Sequence, residues 1–420
     1  MRALISRSTV QGSVSAPPSK SYTLRGLMCS ALTKGESEII EPLHSDDTIA
    51  ARRVLQQIGT DIRDTSRSWL VRGGEFHQPE DELYCGESAG TLRFMAAICS
   101  IVPGKCRLTA GPSLQKRPLK PLVNALQQMS IKCSLTDGKP LLTIEGKQLD
   151  GGTVVLPGDI SSQYITALLL IAPYCRDGLT IRLTSPLESK PYIYMTLDCM
   201  KTFGIEVAHS SDLSTFAVKP QIYRPSVYRV EGDWSSSSYL LAMGAAAGEI
   251  EVRNLAARSK QADKDIWILL NRMGTNIVVG HDSVKVKQSK LKAFRADLTD
   301  CIDLLPTVAI LAALADGDSE ISGIRRARIK ESDRIAAVKA GMQRMGIKVE
   351  EEDDRIFIKG TTPRGTIIDS MGDHRIAMAF SILGIVAGDT IIEGAECVSK
   401  TYPEFWNVLK NIGGKVMLDG

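Results

Sequence analysis

Long apolar runs are missing from this chain. Nothing in its 420 residues approaches the roughly 20 apolar residues in a row that a membrane-spanning helix needs, so no membrane partner is expected. Histidine is scarce, five in all with none spaced as a ligand pair, and the nine cysteines include no Cys-x-x-Cys pair. No metal and no cofactor are therefore expected. The cysteines are odd in number and lie among apolar neighbours, as Cys29, Cys99 and Cys199 do, which suits a reducing cytoplasm better than a disulfide framework. Excess charge is also small. A net +3 falls short of the basic surplus of a surface that tracks phosphodiesters, so nucleic acid is not the expected partner. The opening Met1-Arg2-Ala3-Leu4-Ile5 has no signal-peptide core and reads at once as a strand.

What is there is an ordinary globular composition, 43% hydrophobic and 24% charged, with length enough for two or more cores. One stretch stands out. From Arg325 to Arg334 five of ten residues are Arg or Lys, and the helix-spaced apolar residues Ile335, Val338, Met342 and Met345 follow. A basic loop feeding a helix N-terminus suits a dense anion, because free backbone N–H groups and guanidinium forks act together there. Glu331 and Asp333 suit the first turn through the helix dipole alone, so a solvated, capped helix start is the competing reading.

The chain also repeats itself. Six polar or Gly/Ser-rich openings, at Pro18–Ser21, Glu87–Thr91, Gly158–Gln163, Gly232–Ser236, Asp300–Asp303 and Gly372–Arg375, each lead into an apolar helix. A short strand follows each time, at 38–40, 107–109, 180–182, 251–253, 320–322 and 390–392. A second helix then stops at Ile58-Gly59, Met129-Ser130, Phe203-Gly204, Met273-Gly274, Met345-Gly346 and Ile412-Gly413. Glycine after the last apolar residue is the left-handed C-cap, and only Ser130 departs from it. The stops recur every 67 to 74 residues, which indicates duplicated α/β units. A crossing between domains is expected around Pro220 to Pro225, with a return near Gly12, since the first strand precedes the first unit and pairs with the C-terminal half.

Six helix mouths after polar loops are six potential anion-facing ends. Ser161 and Ser162 read as N-caps taken alone, yet with Gln163 they also suit a phosphate. Lys20, Ser21 and Arg25 fall near one helix end. Arg117 precedes Pro118, which the pattern places at a first helical position.

These motifs, taken in order over nearly the whole chain, resemble the enolpyruvyl transferases, and within them the EPSP synthase family. The resemblance rests on Pro18-Ser19-Lys20-Ser21 with Arg25, Ala89-Gly90-Thr91 with Arg93, Gln115-Lys116-Arg117-Pro118, Ser161-Ser162-Gln163 and Ser189-Lys190-Pro191-Tyr192. It continues through Lys330-Glu331-Ser332-Asp333-Arg334, Asp373-His374-Arg375-Ile376-Ala377-Met378 and Ser399-Lys400-Thr401-Tyr402-Pro403. It implies an α/β fold, a two-domain inside-out barrel of six βαβαββ units, three per domain, with the active site in the interdomain cleft. One domain is expected to hold residues 1–13 with 228–420, the other 14–227.

The implied reaction moves the enolpyruvyl group of phosphoenolpyruvate onto the 5-hydroxyl of shikimate 3-phosphate and releases phosphate, through a tetrahedral adduct and without a metal. By resemblance, Lys20, Gly90, Arg117, Gln163, Arg334, Arg375 and Lys400 hold phosphoenolpyruvate. Lys20, Ser21, Arg25, Ser161, Ser162, Gln163, Ser189, Asp303 and Lys330 meet shikimate 3-phosphate. Asp303 is the expected general base, and Glu331, with Lys20, the expected donor to the methylene carbon. A carboxyl flanked by Lys330 and Arg334 is expected to have a lowered pKa, which suits a base better than an acid. A monomer is expected.

Two positions depart from the family's pattern, Arg326 and Ser88, where asparagine is common. Gly90 leaves room for phosphonate mimics of phosphoenolpyruvate such as glyphosate. Three other readings compete. The sister enzymes acting on UDP-N-acetylglucosamine carry a loop cysteine close before their Arg-Pro pair, but Cys106 lies eleven residues before Arg117. A non-catalytic polyanion-binding scaffold has no need of Asp303 and Glu331. RNA 3′-phosphate cyclases require a nucleotidylated histidine and a more basic surface.

Overall fold

The computed structural model describes residues 1–137 and 141–420. Each of the six openings leads into a helix. These are α1 (Lys20–Ala31), α2 (Ala89–Ile98), α3 (Ser162–Ile171), α4 (Trp234–Ala247), α5 (Leu305–Leu314) and α6 (His374–Ala387). Local chemistry starts five of them: the side chains of Ser19, Ser88, Ser161, Asp233 and Asp373 each accept a backbone N–H of the first turn. The start of α5 differs. It grows out of a 3-10 turn, Ile302–Leu304, with Pro306 where a missing N–H costs nothing. These helices are apolar around most of their girth and are buried accordingly; in α5 every residue except Leu314 is buried.

The strands that follow occupy Gly35–Ile40, Gly104–Thr109, Leu179–Leu183, Gly248–Arg253, Asp318–Ser322 and Thr390–Glu393. Each is the second strand of a four-stranded sheet, paired parallel to one neighbour and antiparallel to the other. Six copies of one pairing pattern are the structural counterpart of the sequence period.

Two compact units divide the described chain, Met1–Pro17 with Glu231–Gly420, and Pro18–Val230. Two exchanged strands set where the chain passes from one to the other. Val227–Arg229 runs parallel to Gly35–Ile40, which keeps it with the Pro18–Val230 unit. Val10–Ser15 runs parallel to Gly248–Arg253, in the other unit. The crossings therefore fall at Pro17/Pro18 and Val230/Glu231, later than the sequence boundaries at 13/14 and 227/228 and beyond the expected Pro220–Pro225 segment. The first strand, Arg2–Ser6, lies between Thr390–Glu393 and Lys415–Asp419 and completes the last repeat's sheet.

The helix stops behave as their glycines require. Gly59, Gly204, Gly274, Gly346 and Gly413 all have φ between 80° and 110°, and Ser130 takes the same left-handed position at φ 58°. Leu119, rather than the residue before Pro118, precedes the helix Lys120–Gln128. Pro118 thus lies in the connection ahead of that helix, and Pro121 takes the early helical position expected for it.

Candidate active site

Within the Pro18–Val230 unit, the first turns of α1, α2 and α3 carry most of the expected residues. Lys20, the first residue of α1, extends its ammonium to buried Asp47 at 3.0 Å. One turn on, Arg25 is buried. It donates from Nε to Thr196 Oγ1 at 2.9 Å, from Nη1 to the Ser21 carbonyl at 3.0 Å, and from Nη2 to the Tyr192 carbonyl at 3.2 Å. Those contacts tie α1 to the helix Lys190–Thr202, whose preceding residue Ser189 is buried and held in the left-handed region at φ 58°. A non-glycine residue kept there costs on the order of 1 kcal/mol and persists only where its surroundings demand it.

Gly90 lies in the first turn of α2, beside the α3 residue Gln163. A Cβ placed on it would meet Leu24 Cδ1 at 3.0 Å and Gln163 Nε2 at 3.9 Å. Ser88, one of the two departures, caps α2: its Oγ accepts from Thr91 N at 3.3 Å and from Thr91 Oγ1 at 2.8 Å.

Arg93, which follows the Ala89-Gly90-Thr91 motif but was given no role from the sequence, organises this end of the unit. Its Nη1 donates to Gln163 Oε1 at 2.7 Å and to Ser161 Oγ at 3.2 Å, and its Nη2 to the Pro118 carbonyl at 3.3 Å. The same guanidinium lies 5.0 Å from the centroid of the Tyr164 ring, and the Tyr164 hydroxyl also donates to Pro118 O. Burial raises the Tyr164 pKa, and the charges of Arg93 and Arg117 oppose it, which places Arg117 in the same neighbourhood. Ser161 acts as the N-cap of α3, accepting from Gln163 N at 3.3 Å, and Ser162 is buried beside it. A charged residue on the inward side of an apolar helix was the available signal for Arg93, since such a charge is buried only when paired.

Within the other unit, one ionic network joins six of the expected residues. Arg334, 1% exposed, meets three carboxylates: Asp373 Oδ2 from Nε at 2.8 Å, Asp303 Oδ1 from Nη1 at 2.8 Å, and Glu331 Oε2 from Nη2 at 2.6 Å. Lys330 reaches Asp303 Oδ1 at 3.2 Å, Arg375 reaches Asp303 Oδ2 at 3.2 Å, and Lys400 lies 3.9 Å from Glu331 Oε1. Arg375 also donates to Ser235 Oγ and, at 3.4 Å, to the Tyr239 hydroxyl. Local structure fixes the frame. Asp333 caps the helix Arg334–Arg344 by accepting from Ile335 N and Ala336 N, and Asp373 accepts from Arg375 N at 2.9 Å at the head of α6. The apolar face predicted for the first of these helices, Ile335, Val338, Met342 and Met345, is fully buried.

The charges in this network shape one another. Burial works to raise the Asp303 pKa, but the charges of Arg375, Lys330 and Arg334 override it and hold the carboxyl well below the ordinary range. Burial, helped by the charges of Arg334 and Arg326, pushes Lys330 down to about 8 against the pull of Asp303. Arg334 is raised, its three acids outweighing the cost of burial. Arg326, the second departure, donates from Nη2 to the Thr299 carbonyl at 2.6 Å. The network can neutralise several anionic groups and holds one carboxylate and one amine whose proton affinities respond to whatever displaces their partners. Among the described residues, no group of three or more His, Cys, Asp or Glu is arranged to hold a metal ion, and no helix is long and apolar enough to cross a membrane.

Comparison with known proteins shows the family and the fold. Residues 5–409 match the family model described as EPSP synthase (3-phosphoshikimate 1-carboxyvinyltransferase). A protein of Dehalococcoides mccartyi (strain ATCC BAA-2266) named 3-phosphoshikimate 1-carboxyvinyltransferase is 50% identical over 421 residues, covering 100% of both chains. One of the same name from Methanocaldococcus jannaschii is 39% identical, covering 97% of each. Among solved structures, EPSP synthase from Acinetobacter baumannii superposes with a TM-score of 0.85 at 23% identity over 100% of both chains. The enolpyruvyl transferase NikO from Streptomyces tendae gives 0.80 at 15% identity, over 99% of this chain and 98% of its own. Those two likenesses concern the fold.

Proposed function

Because the chain belongs to the EPSP synthase family, we propose how its residues divide the work of that family's reaction. The enzyme transfers the enolpyruvyl group of phosphoenolpyruvate to the 5-hydroxyl of shikimate 3-phosphate, in the shikimate pathway. The hydroxyl oxygen bonds to C2 of phosphoenolpyruvate and loses its proton while the C3 methylene gains one, giving a tetrahedral adduct. The adduct then loses phosphate and a methyl proton to restore the enol. Each substrate carries a carboxylate and a phosphate group of charge about −1.5 to −2.

The observation that carries the assignment is the network around Arg334, in which Asp303 and Glu331 occupy the cations that an anionic substrate needs. On this reading phosphoenolpyruvate takes Lys20, Arg117, Gln163, Arg334, Arg375 and Lys400, with Gly90 admitting it close to the backbone. Shikimate 3-phosphate takes Ser21 and Arg25 through its carboxylate, and Ser161, Ser162, Gln163 and Ser189 through its phosphate. Lys20, Lys330 and Asp303 meet it nearer the reacting hydroxyl.

Asp303 as found is a poor base, since its countercharges favour the carboxylate. Substrate anions that draw Arg334 and Arg375 away raise its proton affinity, so the acceptor becomes effective only when phosphoenolpyruvate is in place. Glu331, 2.6 Å from Arg334 and 3.9 Å from Lys400, is released by the same exchange and serves the methylene carbon, with Lys20 as a second cation there. No metal or other cofactor enters the scheme. On this reading the enzyme acts as a monomer, and its nine cysteines, none paired as a disulfide, support a reducing cytoplasm.

The test is phosphate release from phosphoenolpyruvate, with shikimate 3-phosphate in one arm and UDP-N-acetylglucosamine in the other. Release with the shikimate compound alone, reduced at least about a hundredfold in Asp303→Ala, is expected. Release with the sugar nucleotide alone moves the chain to the sister specificity. Full activity of Asp303→Ala removes the base assignment.

A further inference from the structure

We propose that Asp263, acting through Ser235, is a positioning residue for Arg375 that makes binding of phosphoenolpyruvate depend on a buried carboxyl being protonated. The inference rests on the reading that Arg375 holds phosphoenolpyruvate.

Asp263 belongs to the 3-10 turn Ala262–Asp265, two residues after Gln261. Gln261 pins that turn to the head of α4: its Oε1 accepts from Trp234 N at 3.1 Å, and its Nε2 donates to the Gly232 carbonyl at 2.8 Å. Ser235, in the first turn of α4, is thereby set between two groups. On one side its Oγ accepts from Arg375 Nη1. On the other its hydroxyl approaches Asp263 and weakly favours the charged form, without completing a hydrogen bond.

Asp263 is 2% exposed, and neither carboxylate oxygen has a hydrogen-bond partner among the described residues. A buried, unsatisfied carboxylate is costly, and the cost is avoided when the group holds its proton. Burial and then the charge of Asp303 push Asp263 up to about 7, against the pull of Arg375. Asp233 adds to the rise. The other charged or titratable groups nearby are Cys301, whose thiol feels the Asp263 charge, and Lys264 and Asp265 on the same turn. Lys264 is committed to the Ser259 carbonyl at 2.8 Å.

With its proton, Asp263 leaves Arg375 to Asp303 and to an incoming anion. Without it, a second negative charge stands behind Ser235 and weakens the attraction of Arg375 for phosphoenolpyruvate. By linkage, the bound anion raises the proton affinity of Asp263, so binding near neutrality takes up a fraction of a proton.

The experiment measures KM for phosphoenolpyruvate at saturating shikimate 3-phosphate, from about pH 6 to about pH 8.5, in wild type, Asp263→Asn and Arg375→Gln. The ratio of wild-type to Asp263→Asn KM removes the ionisation of the substrate's own phosphate, which has a pKa of about 6. That ratio is expected to rise at least about threefold across the range, which is half a pKa unit of coupling, with kcat changed less than KM. A flat ratio overturns the proposal. If Arg375→Gln leaves KM unchanged at every pH, the underlying assignment of Arg375 fails instead, whatever Asp263→Asn does. Should Asp263→Asn not fold, the infrared spectrum of the wild-type enzyme decides: a buried protonated carboxyl band that titrates near neutrality and is strengthened by phosphoenolpyruvate supports the proposal, and its absence overturns it.

Discussion

Arg334 Nε and Asp373 Oδ2 stand 2.8 Å apart with both side chains essentially removed from solvent, 1% and 0% exposed. Asp373 uses the same carboxylate to cap α6 through Arg375 N, so this pair ties the head of one helix to the head of another. Because Arg334 also neutralises Asp303 and Glu331, Arg334→Met takes one buried cation from three carboxylates at once, leaving Asp303 to Lys330 and Arg375 and Glu331 to Lys400. A loss of about 3 to 5 kcal/mol is expected, read as a lower urea midpoint for the unit containing residue 334. A loss under about 1 kcal/mol would show that water or rearranged lysines replace the guanidinium readily.

Lys330 is expected to give the enzyme a basic limb in its pH profile. Its pKa lies near 8 in the free enzyme, below its ordinary value, so the ammonium is lost as pH rises through about 8, and kcat/KM is expected to fall there. The fall is not unfolding. A lysine that releases its proton more readily when folded makes the fold gain stability as pH rises from about 8 toward about 10.4. Lys330→Met should have low activity with that limb missing; a limb that persists unchanged in the variant assigns it to another group.

Gly90→Ala tests close approach at the head of α2. The new methyl lies 3.0 Å from Leu24 Cδ1, so Leu24 must give way by a few tenths of an ångström, and it narrows the space beside Gln163. Alanine is favoured over glycine in a helix by about 1 kcal/mol, so the melting temperature should hold. The inhibition constant for glyphosate is expected to rise about tenfold or more, with a smaller rise in KM for phosphoenolpyruvate. An unchanged inhibition constant in a steady-state assay removes Gly90 from the site.

Ser130 is the one helix stop without glycine, and its φ of 58° carries a strain the other five stops avoid. Ser130→Gly is expected to stabilise the Pro18–Val230 unit by about 0.5 kcal/mol, the relief of left-handed strain less the added freedom of the unfolded chain. Chemical denaturation with activity unchanged is the check; destabilisation would mean that the Ser130 side chain contributes more than its backbone costs.

Much of what neighbours a few residues apart decide was legible in the sequence. Ser19, Ser88 and Ser161 cap helices because their hydroxyls reach an N–H two or three residues on, and the glycine stops turn left-handed because glycine alone does so without cost. The period of the stops made six units visible, since each unit repeats the same local instructions. Such signals state where elements begin and end, and which family the order of motifs matches. They do not state which distant charges meet. Arg93 bridges Gln163 and the Pro118 carbonyl across 70 and 25 residues, and Arg334 gathers Asp303 and Asp373 from 31 residues before it and 39 after. Asp263 carried no motif at all; only tertiary packing buried it behind Ser235. The position of Pro118 was misjudged for the same reason, because its carbonyl is held by Arg93 and Tyr164 from other helices. The sequence by itself determined the repeats, most of the helix ends and the family, because hydrogen bonds within a turn depend only on adjacent residues. The tertiary structure decided the charge pairings and the proton affinities of Asp303 and Lys330, because burial and Coulomb interaction depend on distances through space.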